Sequence, residues 1–162
     1  MQFVDKKYTL EKDGFIHCKN VFSENDIKIF RSIVEKIYEE PNISPGDNNY
    51  IKRNIFNNHK SLRPLLFNKF IIVLLKKILG NDFVLLNDMS MLKSSFKGWH
   101  KDTSNLAFSG AKFHYEKDFL ILNVIIYLQE NTETLGGGLD VIPGSHLEKF
   151  DELVTPLSAG GK

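Results

Sequence analysis

The sequence predicts an α+β fold in which helices from the first half pack on a sheet or barrel built from the second half. Three observations carry this. Apolar residues recur at spacings of three and four between Ile27 and Ile37, and short apolar or alternating runs replace that pattern after Gly80. A Gly-rich turn and an abrupt Pro143-Gly144 stop then bracket the last of these runs. Helices first and strands after is the order of an α+β domain. At 162 residues the chain suits a single domain spanning 1–162, and no Gly/Ser/Pro linker, internal repeat or low-complexity segment divides it.

Taken in order, a polar start leads to Gly14–Lys19, which reads as a short strand behind the turn pair Asp13-Gly14. Ser23 has the character of a helix N-cap, with Asp26 three residues on. The helix behind it carries Ile27, Phe30, Ile33, Val34 and Ile37 on one stripe and should end before Pro41. From Pro41 to Lys60, Pro45, Gly46, Asp47, Asn48, Asn49, Asn57 and Asn58 give a composition of turns, read as a long surface loop. A second helix is expected from Ser61, with Pro64 in its first turn, Leu65, Leu66, Phe70, Val73 and Leu74 inward, and Gly80 as its stop. Its middle, Phe70–Leu75, is apolar all round and fits a buried strand equally well. Beyond Gly80, Phe83–Leu86, Met89–Phe96, Phe119–Leu128 and Leu139–Ile142 read as strands of a barrel or jelly roll.

Composition narrows the function. Apolar content of 42% and charged content of 25% are those of a globular protein, not a disordered or coiled-coil one. Lys and Arg number 21 against 20 Asp and Glu, a net charge of +1 that offers no basic field for nucleic acid or an anionic membrane. The longest apolar runs fall far short of the roughly 18 residues of a membrane-span candidate. A lone cysteine, Cys18, and a charged N-terminal segment without a secretory apolar stretch point to a reducing, cytoplasmic setting.

The sharpest local feature is Gly98-Trp99-His100-Lys101-Asp102. On an extended segment residues i and i+2 project to the same side, so His100 and Asp102 can aim an imidazole nitrogen and a carboxylate oxygen at one point. Two His and one carboxylate on one face of the metal are the ligand set of non-haem Fe(II) oxygenases. Alone, His-x-Asp reads rather as a surface His and Asp near a turn. Its context is Phe119–Gln129, a polar turn, and Leu135–His146.

Together these segments resemble the phytanoyl-CoA dioxygenase family of Fe(II)- and 2-oxoglutarate-dependent oxygenases. Trp99-His100-Lys101-Asp102 resembles its first two iron ligands, and Tyr127-Leu128-Gln129 its strand end before the turn. Gly137-Gly138-Leu139 through Val141-Ile142-Pro143-Gly144-Ser145-His146 resembles its turn signature, and Asp13-Gly14-Phe15-Ile16 its N-terminal start. The resemblance runs from about residue 10 to 150. It implies a double-stranded β-helix (jelly roll, cupin-like) with N-terminal helices on the sheet. It further implies His100 and Asp102 on Fe(II), 2-oxoglutarate as chelating cosubstrate, and hydroxylation of a small molecule by dioxygen. Asp102 favours hydroxylation over halogenation, since related halogenases carry a small residue at that place. For 2-oxoglutarate, the resemblance points to Asn87 and Lys93 on strands ahead of the pair, with Asn123 on the following strand as a third polar candidate; capping, solvation and local backbone bonding are the plainer roles of the three.

The remaining candidates have structural roles as alternatives. His146 falls in the turn signature and reads as a turn cap rather than an iron ligand, His114 faces substrate or solvent, and His17 and His59 read as surface or edge residues. Trp99 reads as packing at the barrel mouth. The segments Pro41–Lys60 and Thr103–Lys117 are expected either to shape that mouth or to be ordinary wet loops. The family's second iron-binding His and its 2-oxoglutarate Arg have no counterpart, because no His follows His146 and no Arg follows Arg63. A jelly roll needs about eight strands, more than the runs above supply. The expectation is therefore a chain lacking its C-terminal strands, with a His and then an Arg beyond Lys162. The alternative is a non-catalytic barrel domain that binds a small ligand or partner, its iron site lost.

Overall fold

The computed structural model describes residues 3–86, 89–93, 99–103 and 112–150. The chain forms two compact units by internal contacts, one from Cys18–Ser95 and Ile126–Gly138, the other from Met1–His17, Phe96–Ile125 and Leu139–Lys162. Helices dominate the described residues, with one small two-stranded sheet. This composition is compatible with an α+β fold.

In the Cys18–Ser95 unit the expected helix forms as α2, Glu24–Glu39, preceded in the chain by α1, Phe3–Asp13. Ser23 caps α2: its Oγ accepts from the Asp26 N–H at 3.1 Å, and Asp26 Oδ2 accepts the Ser23 N–H at 3.2 Å. This reciprocal box satisfies two donors that a helix start otherwise leaves open. Phe30 and Ile37 carry the buried stripe of α2. They join Ile55, Leu62, Leu65 and Met91 in the core, with Phe22, Ile33, Val34, Tyr38, Met89, Ile126 and Leu128 packed around it.

The stretch read as a surface loop is more structured than its composition suggests. It contains strand β1, Ile51–Arg53, and the short helix α3, Ile55–Asn58. β1 pairs antiparallel with β2, Ser90–Leu92, setting Ile51 opposite Leu92, Lys52 opposite Met91 and Arg53 opposite Ser90. Pairing with a segment some forty residues away cannot be read from local turn composition, which is why the expectation failed here. The loop before β1 is knitted by its own polar residues: Asp47 accepts the N–H groups of Ile43, Ser44 and Arg53, and Asn48 those of Tyr50 and Ile51. Hydrogen bonds to Asp47 from backbone N–H groups hold its carboxyl below the ordinary range.

Two polar side chains are buried among the described residues of this unit. Lys52 is 2% exposed, its ammonium donating to the Glu40 carbonyl and to Asn42 Oδ1, each at 2.9 Å. His59, read as a surface or edge residue, is buried instead, with Nδ1 3.6 Å from Glu40 Oε2. Both cluster on the end of α2, where exposed C-terminal carbonyls and a carboxylate supply the compensation that buried donors require.

The second expected helix is interrupted. A 3₁₀ turn at Lys60–Leu62 leads to α4, Arg63–Leu66, and the chain restarts as α5, Lys69–Leu79. Asn68 makes the break, its side chain accepting from the Phe70 and Ile71 N–H groups as the N-cap of α5. Phe70–Leu75 is therefore helical rather than a strand, and Ile71 and Ile78 are the buried residues of α5. Gly80 ends it in the left-handed region, at φ +89°.

Tyr38 ties α2 to β2 and to the residue before β1, its hydroxyl lying 3.1 Å from the Tyr50 carbonyl and 3.0 Å from that of Met91. Burial, with a smaller contribution from Asp47, pushes this phenol from 10.0 up to about 12. A raised pKa favours the neutral form in the folded state, so the contribution is complete below pH 10 and is lost as pH rises from 10 towards about 12. Alkaline unfolding followed by circular dichroism should show this loss in the wild type. It should be absent in Tyr38→Phe, which is less stable at neutral pH by about 1 kcal/mol for the missing hydroxyl.

Among the described residues the expected strands are largely unformed. Gly14–Lys19, Phe83–Leu86, Phe119–Leu128 and Leu139–Ile142 form no ladder among the described residues, and Met89–Phe96 contributes β2, its residues 94–96 lying outside the described residues. A jelly roll is accordingly not shown by the described residues. Periodicity reports which side chains favour burial, whereas a strand exists only where a second edge supplies its hydrogen bonds. Val84 at 80% and Ile125 at 57% exposure illustrate apolar runs without such an edge.

In the other unit, α1 is a helix that no apolar stripe announced. Its end is built from two sequence motifs. Gly14, at φ +83°, donates its N–H to the Leu10 carbonyl, while Gly144 donates to Asp13 O at 2.8 Å and His146 Nε2 lies 3.2 Å from Glu11 O. The Pro-Gly-Ser-His turn thus satisfies carbonyls that the last turn of a helix leaves open. A side chain at position 14 would drive its Cβ into the His146 ring, so both the backbone angle and the approach demand glycine.

Candidate functional site

The segment 99–103 carries the pair that the sequence singles out. His100 and Asp102 are exposed and Lys101 between them is buried, the alternation that places i and i+2 on one side. His100 Nε2 stands 3.4 Å from Asp102 Oδ1, and Asn123 Nδ2 donates to the other oxygen, Oδ2. Three of the candidate residues are therefore brought together: His100, Asp102 and Asn123. Lys93 lies in the other unit, its ammonium 5.4 Å from the Tyr38 ring centre, and Asn87 is outside the described residues.

The donor set fits one divalent ion at two points. Two ligands about 2.1 Å from a first-row ion and about 90–110° apart stand about 3.0–3.4 Å from each other. The observed separation of 3.4 Å falls at the upper end of that span. Asn123 supplies what a metal-bound carboxylate commonly has, a hydrogen-bond donor on its free oxygen that fixes its orientation. Among the described residues no group of three or more His, Cys, Asp or Glu side chains is placed to hold a metal.

Around the pair, Trp99 is 46% exposed rather than packed away. The 3₁₀ turn Phe113–Tyr115 stacks its aromatics, with His114 4.1 Å from Tyr115 and Phe113 edge-on to Phe119 at 5.1 Å between ring centres. Both ring nitrogens of His114 are shielded from solvent and have no hydrogen-bond partner among the described residues. Lys112 and Glu148 form an exposed ion pair. Sequence reasoning passed over Lys101, whose ammonium donates to Tyr115 Oη and the Leu147 carbonyl. The signal was available: if His100 and Asp102 share one side, the residue between them points to the other.

Comparison with known proteins finds distant similarity to dioxygenases. The chain is 28% identical over 160 residues to the ectoine dioxygenase of Bordetella bronchiseptica, an alignment covering 88% of this chain and 49% of the relative. The ectoine dioxygenase of Bordetella parapertussis is 27% identical with the same coverage. The chain thus spans about half the length of the curated relatives it matches. No family model and no solved structure matches it.

Proposed function

We propose that this chain is part of an Fe(II)- and 2-oxoglutarate-dependent dioxygenase that hydroxylates a small molecule, built on the double-stranded β-helix of that class. The observation that carries the reading is the His100–Asp102 pair, two donors of the right chemistry 3.4 Å apart with one carboxylate oxygen held by Asn123. The similarity to ectoine dioxygenases supports an oxygenase-type enzyme in which dioxygen and a small molecule are the reactants.

In this reading His100 and Asp102 hold the iron, and Asp102 also offsets part of its charge. Asn123 keeps the carboxylate turned to the metal. Iron and 2-oxoglutarate, when bound, supply an oxidation in which 2-oxoglutarate leaves as succinate and carbon dioxide and one oxygen atom of dioxygen enters the substrate as hydroxyl. A third protein ligand and a cation for the far carboxylate of 2-oxoglutarate are also required, and the family's positions for them have no counterpart among these 162 residues. No described helix is long and apolar enough to cross a membrane. The proposed setting is the reducing cytoplasm, where a single Cys18 stays a thiol.

Calorimetric titration of the full-length protein with Fe(II), without oxygen, tests the reading. Binding that tightens when 2-oxoglutarate is added is expected. Indifference to both would assign the chain instead to a non-catalytic domain that binds a small ligand or partner.

A further inference from the structure

We propose that Lys101 is the positioning residue of the His100–Asp102 pair, an inference that rests on the iron reading of that pair. A lysine is rarely buried unless its ammonium is paired, and Lys101 is 9% exposed. Its Nζ donates to Tyr115 Oη at 2.9 Å and to the Leu147 carbonyl at 3.1 Å, and lies 5.2 Å from the centre of the Tyr115 ring. One ammonium thus binds the ligand segment to the 3₁₀ turn 14 residues on and to the end of the Pro-Gly-Ser-His turn 46 residues on. That second anchor is itself held, because Leu147 donates its N–H to Gly144 O, and Gly144 donates to Asp13 O at the end of α1.

Position in the chain makes this a metal-site device rather than an ordinary buried lysine. The Lys101 backbone is covalently joined to both ligands, so pinning its side chain on one side of the segment restricts the torsions that aim His100 and Asp102 on the other. Metal affinity depends on such preorganisation, since each ligand that must be ordered on binding weakens the complex. Tyr115 contributes a rigid hydroxyl and Leu147 a backbone carbonyl, two acceptors that suit an ammonium and cannot themselves compete for a cation as a carboxylate would.

Full-length protein titrated with Co(II), whose visible absorption reports ligand geometry, tests the proposal. Lys101→Met, which keeps the apolar stem and removes the donors, should weaken Co(II) binding by about 10- to 100-fold. It should also change the absorption at saturating metal while far-ultraviolet circular dichroism remains that of the wild type. Lys101→Arg, which restores donors, should recover most of the loss. Should Lys101→Met fail to fold, Tyr115→Phe removes one acceptor and keeps the ring; weaker binding and an altered spectrum are again expected. Wild-type affinity and spectrum in Lys101→Met, or in Tyr115→Phe if that variant is needed, beside an Asp102→Ala variant that no longer binds, would overturn the positioning role alone. Wild-type protein that leaves Co(II) unbound, or Asp102→Ala that binds it as tightly, removes the iron reading and this proposal with it.

Discussion

Replacing Asp102 with Ala in the full-length protein is expected to abolish substrate-coupled succinate formation and to weaken Fe(II) binding at least about 100-fold, beyond the range seen when only a supporting residue is lost. The carboxylate has two roles at once. Oδ1 stands 3.4 Å from His100 Nε2, where the proposed iron reading makes it the second arm of the chelate, and Oδ2 accepts the Asn123 amide. On the proposed reading, alanine removes the negative charge that offsets part of the iron's own and takes one of the protein ligands from the ion. Fold should be spared, because the Asp102 side chain is 64% exposed and surface substitutions typically shift stability by less than about 0.5 kcal/mol. Fe(II) titration and succinate release against thermal unfolding separate the two effects. Retained turnover would refute the iron assignment.

Ile37→Ala should have the largest effect on stability, about 2–5 kcal/mol. Ile37 is 2% exposed and belongs to the cluster of Phe30, Ile55, Leu62, Leu65 and Met91. It lies in the last turns of α2, close in sequence to the carbonyl and carboxylate of Glu40 that hold Lys52 and His59. Truncation leaves a void lined by side chains from several elements, which cannot all collapse into it. Against a typical domain stability of about 5–15 kcal/mol the loss is a substantial fraction. Urea unfolding followed by fluorescence and circular dichroism measures it; a change below about 1 kcal/mol would mean that the cluster is not the principal core of its unit.

Legibility followed the range of the interactions. The start and stripe of α2 were readable because Ser23, Asp26 and the apolar spacing act within a turn or two, and Gly80 marks the end of α5 for the same reason. The pairing of His100 with Asp102 was readable from a spacing of two, and Asn123 stood out as a polar residue in an apolar run. The helical break at Asn68 was also local, but the apolar pattern continuing across it outweighed a single capping residue. The helix α1 lacked a stripe, and its end depends on Gly144 and His146, more than a hundred residues away.

By itself, then, the sequence determined the amphipathic helix, the polar turns and the candidate ligands, each of which depends on neighbours along the chain. Tertiary structure decided which apolar runs found a strand partner, that Lys52 and His59 lie buried at the end of α2, and that Asn123 reaches Asp102. It also decided that Lys101 turns inward to Tyr115 and Leu147. The physical reason is that ladder bonds and the compensation of buried charge need a second partner from elsewhere in the chain, and composition and periodicity specify the need without naming that partner.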